Sequence, residues 1–435
     1  MENYTSFDFD GKRHSISVEL FDARNGLGGA ISQFLFLPLI QEIAFTNSIN
    51  DPILKATVTY IDTEARVLDS LNGNLNVLCR ININIIPIGK SSEFVPNESI
   101  QKFSHTFYLN SLDITETATD RVEYKLHLIS SYFFPFMETK SISTFSGVKT
   151  NTKPFLSLMK NVLGEDLPLR TTVKDSNINI EYISPAGTSR MDSIKKILSK
   201  NVESPDSDLT LLVYDSRDDI FELWFKSQYL TTMPQQISPI YENIVMLNMN
   251  DDPIKRDAGK NKIVSLKSKS FKTPNQDVIH DVARTIEHSF DYESRSFSTR
   301  EYTNQRIKNS SLLGGRFNNI DYSLFKAGDN VDLTIEGIDP EGLNFYQRIM
   351  KVITENNSIQ VTVPGNINRK PGIPVTIGVG PNENLKDISG TYILTKLIYK
   401  IRPQDEIAVN DLLLGRDTYL RDKFEVKNKG IKQVI

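Results

Sequence analysis

Residues that could do chemistry are few in this chain, and none stands in a spacing that completes a site. Gly89-Lys90-Ser91 has the ending of a phosphate-cradling loop. That loop needs a glycine five positions earlier so that backbone amides can wrap the phosphates, and position 84 is Asn84. The histidines are His14, His105, His127, His280 and His288. His280 and His288 stand eight apart, beyond the i, i+4 spacing that puts two imidazoles on one zinc ion, and no other pair has ligand spacing. His127, between Leu126 and Leu128, reads as a satisfied surface or sheet-edge histidine. No Gly-x-Ser-x-Gly elbow occurs, and composition alone leaves a Ser–His–Asp set open.

Asp215, Asp218 and Asp219 form the densest acidic cluster near a turn. A calcium loop needs alternating oxygen ligands closed by a glutamate, and here Glu222 already falls in the following strand. The cluster therefore reads as a solvated hairpin tip. Cys79 is the sole cysteine, so no internal disulfide can form. It sits in an apolar alternating run, where a small buried residue is the default and nothing activates a thiolate. No residue is expected to be catalytic, to hold a cofactor or to bind a metal.

The surrounding elements are mostly strands. Ile16, Val18 and Leu20 alternate with polar residues, as do Ala56, Val58 and Tyr60. The same period recurs along Val77, Cys79, Ile81, Ile83 and Ile85, and again along Tyr124, Leu126 and Leu128. Asn50-Asp51-Pro52 and Asn72-Gly73-Asn74 punctuate them as turns. The middle changes period. Lys153-Pro154 opens a helix with Phe155, Leu158, Met159 and Val162 on one face, stopping at Gly164. Ser189-Arg190-Met191-Asp192 is a capping box for a second helix, with Met191, Ile194, Ile197 and Leu198 inward. Two strands, Leu209–Tyr214 and Ile220–Phe225, follow. Val278, Ile279, Val282 and Ile286 predict a third helix over Gln276–His288. Strands return with Val331, Leu333 and Ile335, then Ile359, Val361 and Val363, then Val375, Ile377 and Val379, closing on Leu394, Leu397, Tyr399 and Ile401.

The chain has 435 residues, 39% hydrophobic and 24% charged, with a net charge of −4. That is long enough for several domains and gives no basic footprint for sequence-specific DNA reading. Asp8 and Asp10 stand where a secretion signal would be apolar, so synthesis in the cytoplasm is expected. The longest uncharged stretch, Asn25–Gln41, is short for a membrane span and contains Gln33 and Pro38. The fold class expected is α+β, mainly β, with two antiparallel β-domains and a mixed α/β domain between them. The boundaries are 6–140 for the first β-domain, 141–232 and 256–300 for the mixed domain, and 233–255 and 301–420 for the second β-domain. Residues 421–435 form a C-terminal tail.

Four segments carry a family resemblance. Ile16-Ser17-Val18-Glu19-Leu20-Phe21-Asp22-Ala23 resembles the first strand of the central baseplate hub of T-even-type contractile phages. Mu-like tail hubs and type VI secretion spikes are more distant kin of that family. Val361 to Gly372 is similar to its strand, glycine turn and Pro-Gly step. Ser389 to Lys400 is similar to its Gly-x-Tyr strand, with Lys400 where a histidine is common. Leu412-Leu413-Leu414-Gly415-Arg416 is similar to its closing strand. The segment from Leu312 to Gly337 matches none of it.

The resemblance implies that both β-domains are tail-tube-like, so that a homotrimer shows pseudo-six-fold symmetry and joins the tail tube to the central spike. It implies as partners the central spike protein, the tail tube or a tube adaptor, the tape-measure protein and baseplate wedge proteins. Genomic DNA would pass the lumen without specific binding, in a virion assembled in the host cytoplasm. It offers structural candidates rather than catalytic ones, namely Gly372, Gly390, Tyr392 and Arg416. An adaptor or receptor-binding protein and a tail hydrolase are the alternatives. The first would favour Gly-rich or aromatic carbohydrate-binding repeats, and the second needs a catalytic cluster.

Overall fold

The computed structural model describes residues 5–9, 11–24, 30–32, 39–62, 76–88, 101–118, 121–138, 155–164, 167–171, 187–200, 210–216, 218–225, 235–237, 265–271, 284–291, 295–303, 330–334, 357–367, 369–377 and 390–416. The first third holds strands β1 (Thr5–Phe9), β2 (Lys12–Asp22), β3 (Ala30–Ser32), β4 (Ile40–Ser48), β5 (Lys55–Asp62), β6 (Val77–Pro87), β7 (Gln101–Ala118) and β8 (Arg121–Ser130). Helices Phe133–Met137, Phe155–Leu163 and Arg190–Lys200 follow, with β9 (Leu169–Thr171) among them. Next come β10 (Thr210–Asp215), β11 (Ile220–Phe225), β12 (Gln235–Ile237), β13 (Ser265–Phe271), β14 (Arg284–Asp291), β15 (Ser296–Thr303) and β16 (Asn330–Thr334). The last are β17 (Asn357–Pro364), β18 (Pro374–Ile377), β19 (Gly390–Arg402) and β20 (Ile407–Arg416).

The molecule is mainly β, and its largest element is one 14-stranded sheet. Its main path runs β1-β2-β6-β7-β8-β5-β4-β19-β20-β17-β13, antiparallel at every step. The alternation read from sequence predicts the burial. Along β6, Val77, Cys79, Ile81, Ile83 and Ile85 are buried, while Arg80, Asn82 and Asn84 are only half-buried. Polar positions find partners across the sheet. Asn82 Nδ2 donates to Ser17 Oγ at 3.0 Å, and Ser104 Oγ donates to Asn82 Oδ1 at 2.6 Å, linking β2, β6 and β7. In the turn before β5, Ile53 N donates to Asp51 Oδ1 at 3.1 Å.

One helix of the middle region stops, and another starts, at the residues its sequence marks, the second with only part of its expected cap. Gly164 has φ +72° and donates to Lys160 O at 2.9 Å, a glycine stop after Leu163. At Ser189 half of the capping box forms. Ser189 Oγ accepts from Asp192 N at 3.1 Å, but it then donates to Asp192 Oδ2 at 2.8 Å. Met159, Val162, Leu163, Met191, Ile194 and Ile197 are buried and belong to the same core as residues of β1, β2 and β4–β8.

The expected helix over Gln276–His288 is corrected where it can be seen. Arg284–Asp291 is β14, paired antiparallel with β15 and parallel with β16 in a separate three-stranded sheet. Thr285, Ile286 and Phe290 favour a pleated strand. The helical spacing came chiefly from Val278, Ile279 and Val282, which lie outside the described residues, as does His280. Also outside them are the Gly89-Lys90-Ser91 segment, the Asn72-Gly73-Asn74 turn, Val379 and the 421–435 tail. Ser265–Phe271 hydrogen-bonds to β17 in the large sheet, and Asn330–Thr334 pairs with β14 instead. Among the described residues no helix is long and apolar enough to cross a membrane.

Candidate functional site: the joint between the β regions

Within the large sheet, the β regions formed by the first and the last thirds of the chain are joined strand to strand. β4 and β19 pair from Ile43↔Ile401 to Ser48↔Lys396, and Arg402 Nε donates to Glu42 Oε2 at 2.8 Å just beyond the ladder. β19 carries a bulge between Leu394 and Lys396. The bulge resets the alternation, so Tyr392 and Leu394 are buried on one side of it and Leu397, Tyr399 and Ile401 on the other. Thr395, at the bulge, is held by both regions. Its carbonyl accepts from Ile49 N at 3.0 Å, and its hydroxyl donates to Leu413 O at 2.9 Å.

The turn after β17 folds over this joint. Gly365 N donates to Ala408 O at 2.9 Å, and a Cβ at position 365 would stand 2.7 Å from Ala408 O and 2.8 Å from Tyr399 Cε2. Only glycine permits that approach. Buried Arg369 donates through Nη1 to Pro364 O and to Asn410 Oδ1, both at 2.6 Å, and Asn410 Oδ1 also accepts from Asn366 N at 2.5 Å. Gly372 returns the chain into β18 with φ +87° and donates to Leu394 O at 2.7 Å. Beside the turn, buried Asp411 accepts from Thr362 Oγ1 at 2.6 Å and pairs with Lys400 Nζ at 3.0 Å. Lys400 thus neutralises a buried carboxylate.

Of the acidic cluster, Asp218 and Asp219 are exposed as a hairpin tip would be, but Asp215 is not. Asp215 and Glu222 are buried. Arg170 from β9 reaches Asp215 at 3.1 Å, Asp218 at 2.6 Å and Glu222 at 2.7 Å, while Lys370 from the turn reaches Asp215 at 3.3 Å and also pairs with Glu222. Two cations on two buried carboxylates meet the requirement that buried charge be paired. Ser216 Oγ donates to Ile367 O at 3.3 Å, and Asn47 Nδ2 donates to Tyr214 O at 2.8 Å. Hairpin β10–β11 is thereby fastened to both β regions.

One cluster has the outline of a hydrolase triad. His105 Nε2 is 2.8 Å from Ser130 Oγ, and His105 Nδ1 is 3.2 Å from Asp219 Oδ1 and 2.9 Å from Tyr214 Oη. A nucleophile must meet substrate, yet Ser130 is 1% and His105 4% exposed. Ser130 Oγ also accepts from Tyr132 N at 3.3 Å. Burial pushes the Asp219 carboxyl up, but donors on His105, Tyr214 and Tyr132 outweigh it and hold the group below its ordinary value. Burial, together with that anion, pushes the Tyr214 and Tyr132 phenols up. The cluster works as a pin between β7, β8 and the β10–β11 turn, where Asp219 takes φ +53°. Sequence reading passed over His105. The available signal was its place between Phe103 and Phe107, all three buried at alternate positions of β7.

The remaining candidates fall away from the joint. Gly390 opens β19 opposite Ile377, Tyr392 stands opposite Val375, and Arg416 ends β20 opposite Asn357. Tyr392 is 1% exposed in a core with Val375, Leu394 and Leu412. His127, half-exposed, has its Nε2 2.8 Å from Asp113 Oδ2, the satisfied surface histidine foreseen. The Cys79 thiol is pushed up by burial and by Glu19, which leaves it unreactive.

No family model matches the sequence, and no curated protein does. Solved structures do match. A tail protein from Neisseria meningitidis is 9% identical, with a TM-score of 0.54 over 92% of this chain and 97% of that one. A 43 kDa tail protein of prophage MuSo2 from Shewanella oneidensis is also 9% identical, over 93% and 99% of the two chains, with a TM-score of 0.49. A Francisella PdpA-VgrG complex contains a chain 12% identical, with a TM-score of 0.44 over 96% of this chain and 60% of that one. The fold assignment rests on the first of these. Over nearly the whole of both sequences, this chain has the fold of the Neisseria tail protein.

Proposed function

We propose that the chain is a structural hub of a phage tail rather than an enzyme. The observation that carries this reading is the β4–β19 ladder, which fuses two antiparallel β regions edge to edge. Two such units per chain give three chains six units, the number a six-fold tube requires. Sheet edges are then used as contacts instead of being left as aggregation sites. The likeness to the Neisseria tail protein supports the tail setting. The domain division would follow the expected boundaries, with Ser265–Phe271 added to the second β region and Asn330–Thr334 to the middle one.

In this reading the homotrimer carries the central spike at one end and meets the tube or a tube adaptor at the other. Wedge proteins surround it, and the tape-measure protein and genome pass through its lumen. Gly372, Gly390, Tyr392 and Arg416 shape the second β region. The chain is made in the host cytoplasm and ends in the virion tail. Clustered lysines or arginines on the lumen would bind phosphates in a salt-sensitive way and retard DNA. In this reading the lumen is therefore poor in them, and the purified trimer should show no duplex retention near physiological salt. Co-expression with the spike protein tests the hub role. A stable complex with three copies of each is expected, and two proteins that elute apart would refute it. A cell-wall clearing assay separates this reading from a hydrolase, and no clearing is expected.

A further inference from the structure

A cavity of about 20 Å³, as available to the centre of a water molecule, lies inside the joint and is lined by Phe45, Asn47, Phe103, Ser216, Leu397 and Tyr399 among others. One water molecule needs about 10–15 Å³ by this measure and two to four polar partners. Two buried polar atoms on the lining residues lack any hydrogen-bond partner, Asn47 Oδ1 and Tyr399 Oη. The orientation of the Asn47 amide is set by its Nδ2, which donates to Tyr214 O. Its oxygen is thus the atom left over, an acceptor, while the Tyr399 phenol is a donor with nothing to donate to. Asn47 lies opposite Leu397, and Phe45 opposite Tyr399, along the same stretch of the β4–β19 ladder. Donor and acceptor therefore stand diagonally across the joint.

We propose that one ordered water occupies this cavity and bridges Tyr399 to Asn47. It accepts from Tyr399 Oη and donates to Asn47 Oδ1. Its second hydrogen is directed to Ser216 Oγ, whose own hydrogen is given to Ile367 O. The water ties β4, β19 and the β10–β11 turn together at the point where three parts of the chain meet. Larger ligands are excluded by the volume, and an ion by the absence of any charged side chain among the described lining residues.

Removing the phenol oxygen gives opposite results with and without the water. A hydroxyl that merely lacks a partner destabilises the fold, so Tyr399→Phe would raise the melting midpoint. A hydroxyl bonded to a fixed water stabilises it, so Tyr399→Phe lowers the midpoint, which is the result expected. A crystal structure of the unaltered chain supplies the second reading independently of how the variant folds. A density peak about 2.6–3.2 Å from both Tyr399 Oη and Asn47 Oδ1 is expected. A raised midpoint, or no peak there in a well-ordered joint, would overturn the proposal.

Discussion

Strands β2 and β4–β8 bury their inward residues in a core that continues into the helices through Met159, Ile194 and Ile197 and into the β10–β11 hairpin through Tyr214 and Phe221. The far halves of β19 and β20, with β17 and β18, bury theirs in a separate cluster of ten described residues. The division falls inside β19, where Leu397 belongs to the smaller core and Tyr399 to the larger. Similar alternating patterns thus give one broadly supported region and one that leans on its neighbour through a shared ladder. The difference lies in what covers each sheet, not in the strands themselves.

That contrast can be broken most directly at Tyr392. Truncating a buried aromatic costs about 3–5 kcal/mol. In the smaller core Tyr392→Ala should open β17–β20 while β2 and β4–β8 keep their amide protection. Hydrogen exchange followed by mass spectrometry checks this, and equal loss of protection in both regions would show a single cooperative core. The first region has its own weak point at His14, which is buried, stacked on Phe7 at 5.0 Å, and lacks a partner at Nδ1. Burial, then Lys12, push its imidazole down to about 4, against smaller opposing effects of the Phe9 backbone and Asp8. A histidine depressed from about 6.5 contributes stability that is whole above that pH and is lost as pH falls towards 4, up to about 3 kcal/mol. His14→Phe should flatten the melting midpoint between pH 6.5 and 4, and an unchanged acid slope would discount the residue.

Glycines sharpen the comparison at smaller cost. At Gly365 an added Cβ meets backbone, so Gly365→Ala should cost about 1–3 kcal/mol, as overpacking does. At Gly187 nothing lies within 4 Å, and only φ +83° opposes a side chain. Gly187→Ala should cost about 1 kcal/mol or less. Denaturant midpoints of the two variants give the order. Loss of the Ser189 cap in Ser189→Ala should cost about 1 kcal/mol, read the same way, and should leave exchange in β17–β20 unchanged.

Strand alternation made most of this fold legible, because the parity of Ile16, Val58, Ile81 and Val361 is set by a two-residue period that burial then follows. The joint was harder to see. Asp215 and Glu222 are neutralised by Arg170 and Lys370, the latter 155 and 148 residues away, and no local pattern announces partners at that distance. Polar residues in a turn looked solvated because their cations come from elsewhere in the chain. His105 was hidden for the opposite reason, as a polar residue on an apolar face whose partners, Tyr214 and Asp219, follow about a hundred residues later. Gly372 was named only through the resemblance, and its φ of +87° is visible only in the structure, as is the steric demand at Gly365, which comes from Ala408 on another strand.

The hub reading stands or falls on how many chains associate. Native mass spectrometry of the purified protein, with and without its co-expressed spike protein, measures this without assumptions about shape. The account predicts a species of three times the 49.4 kDa chain mass that gains three spike chains on co-expression. A stable monomer that does not take up the spike protein would contradict it.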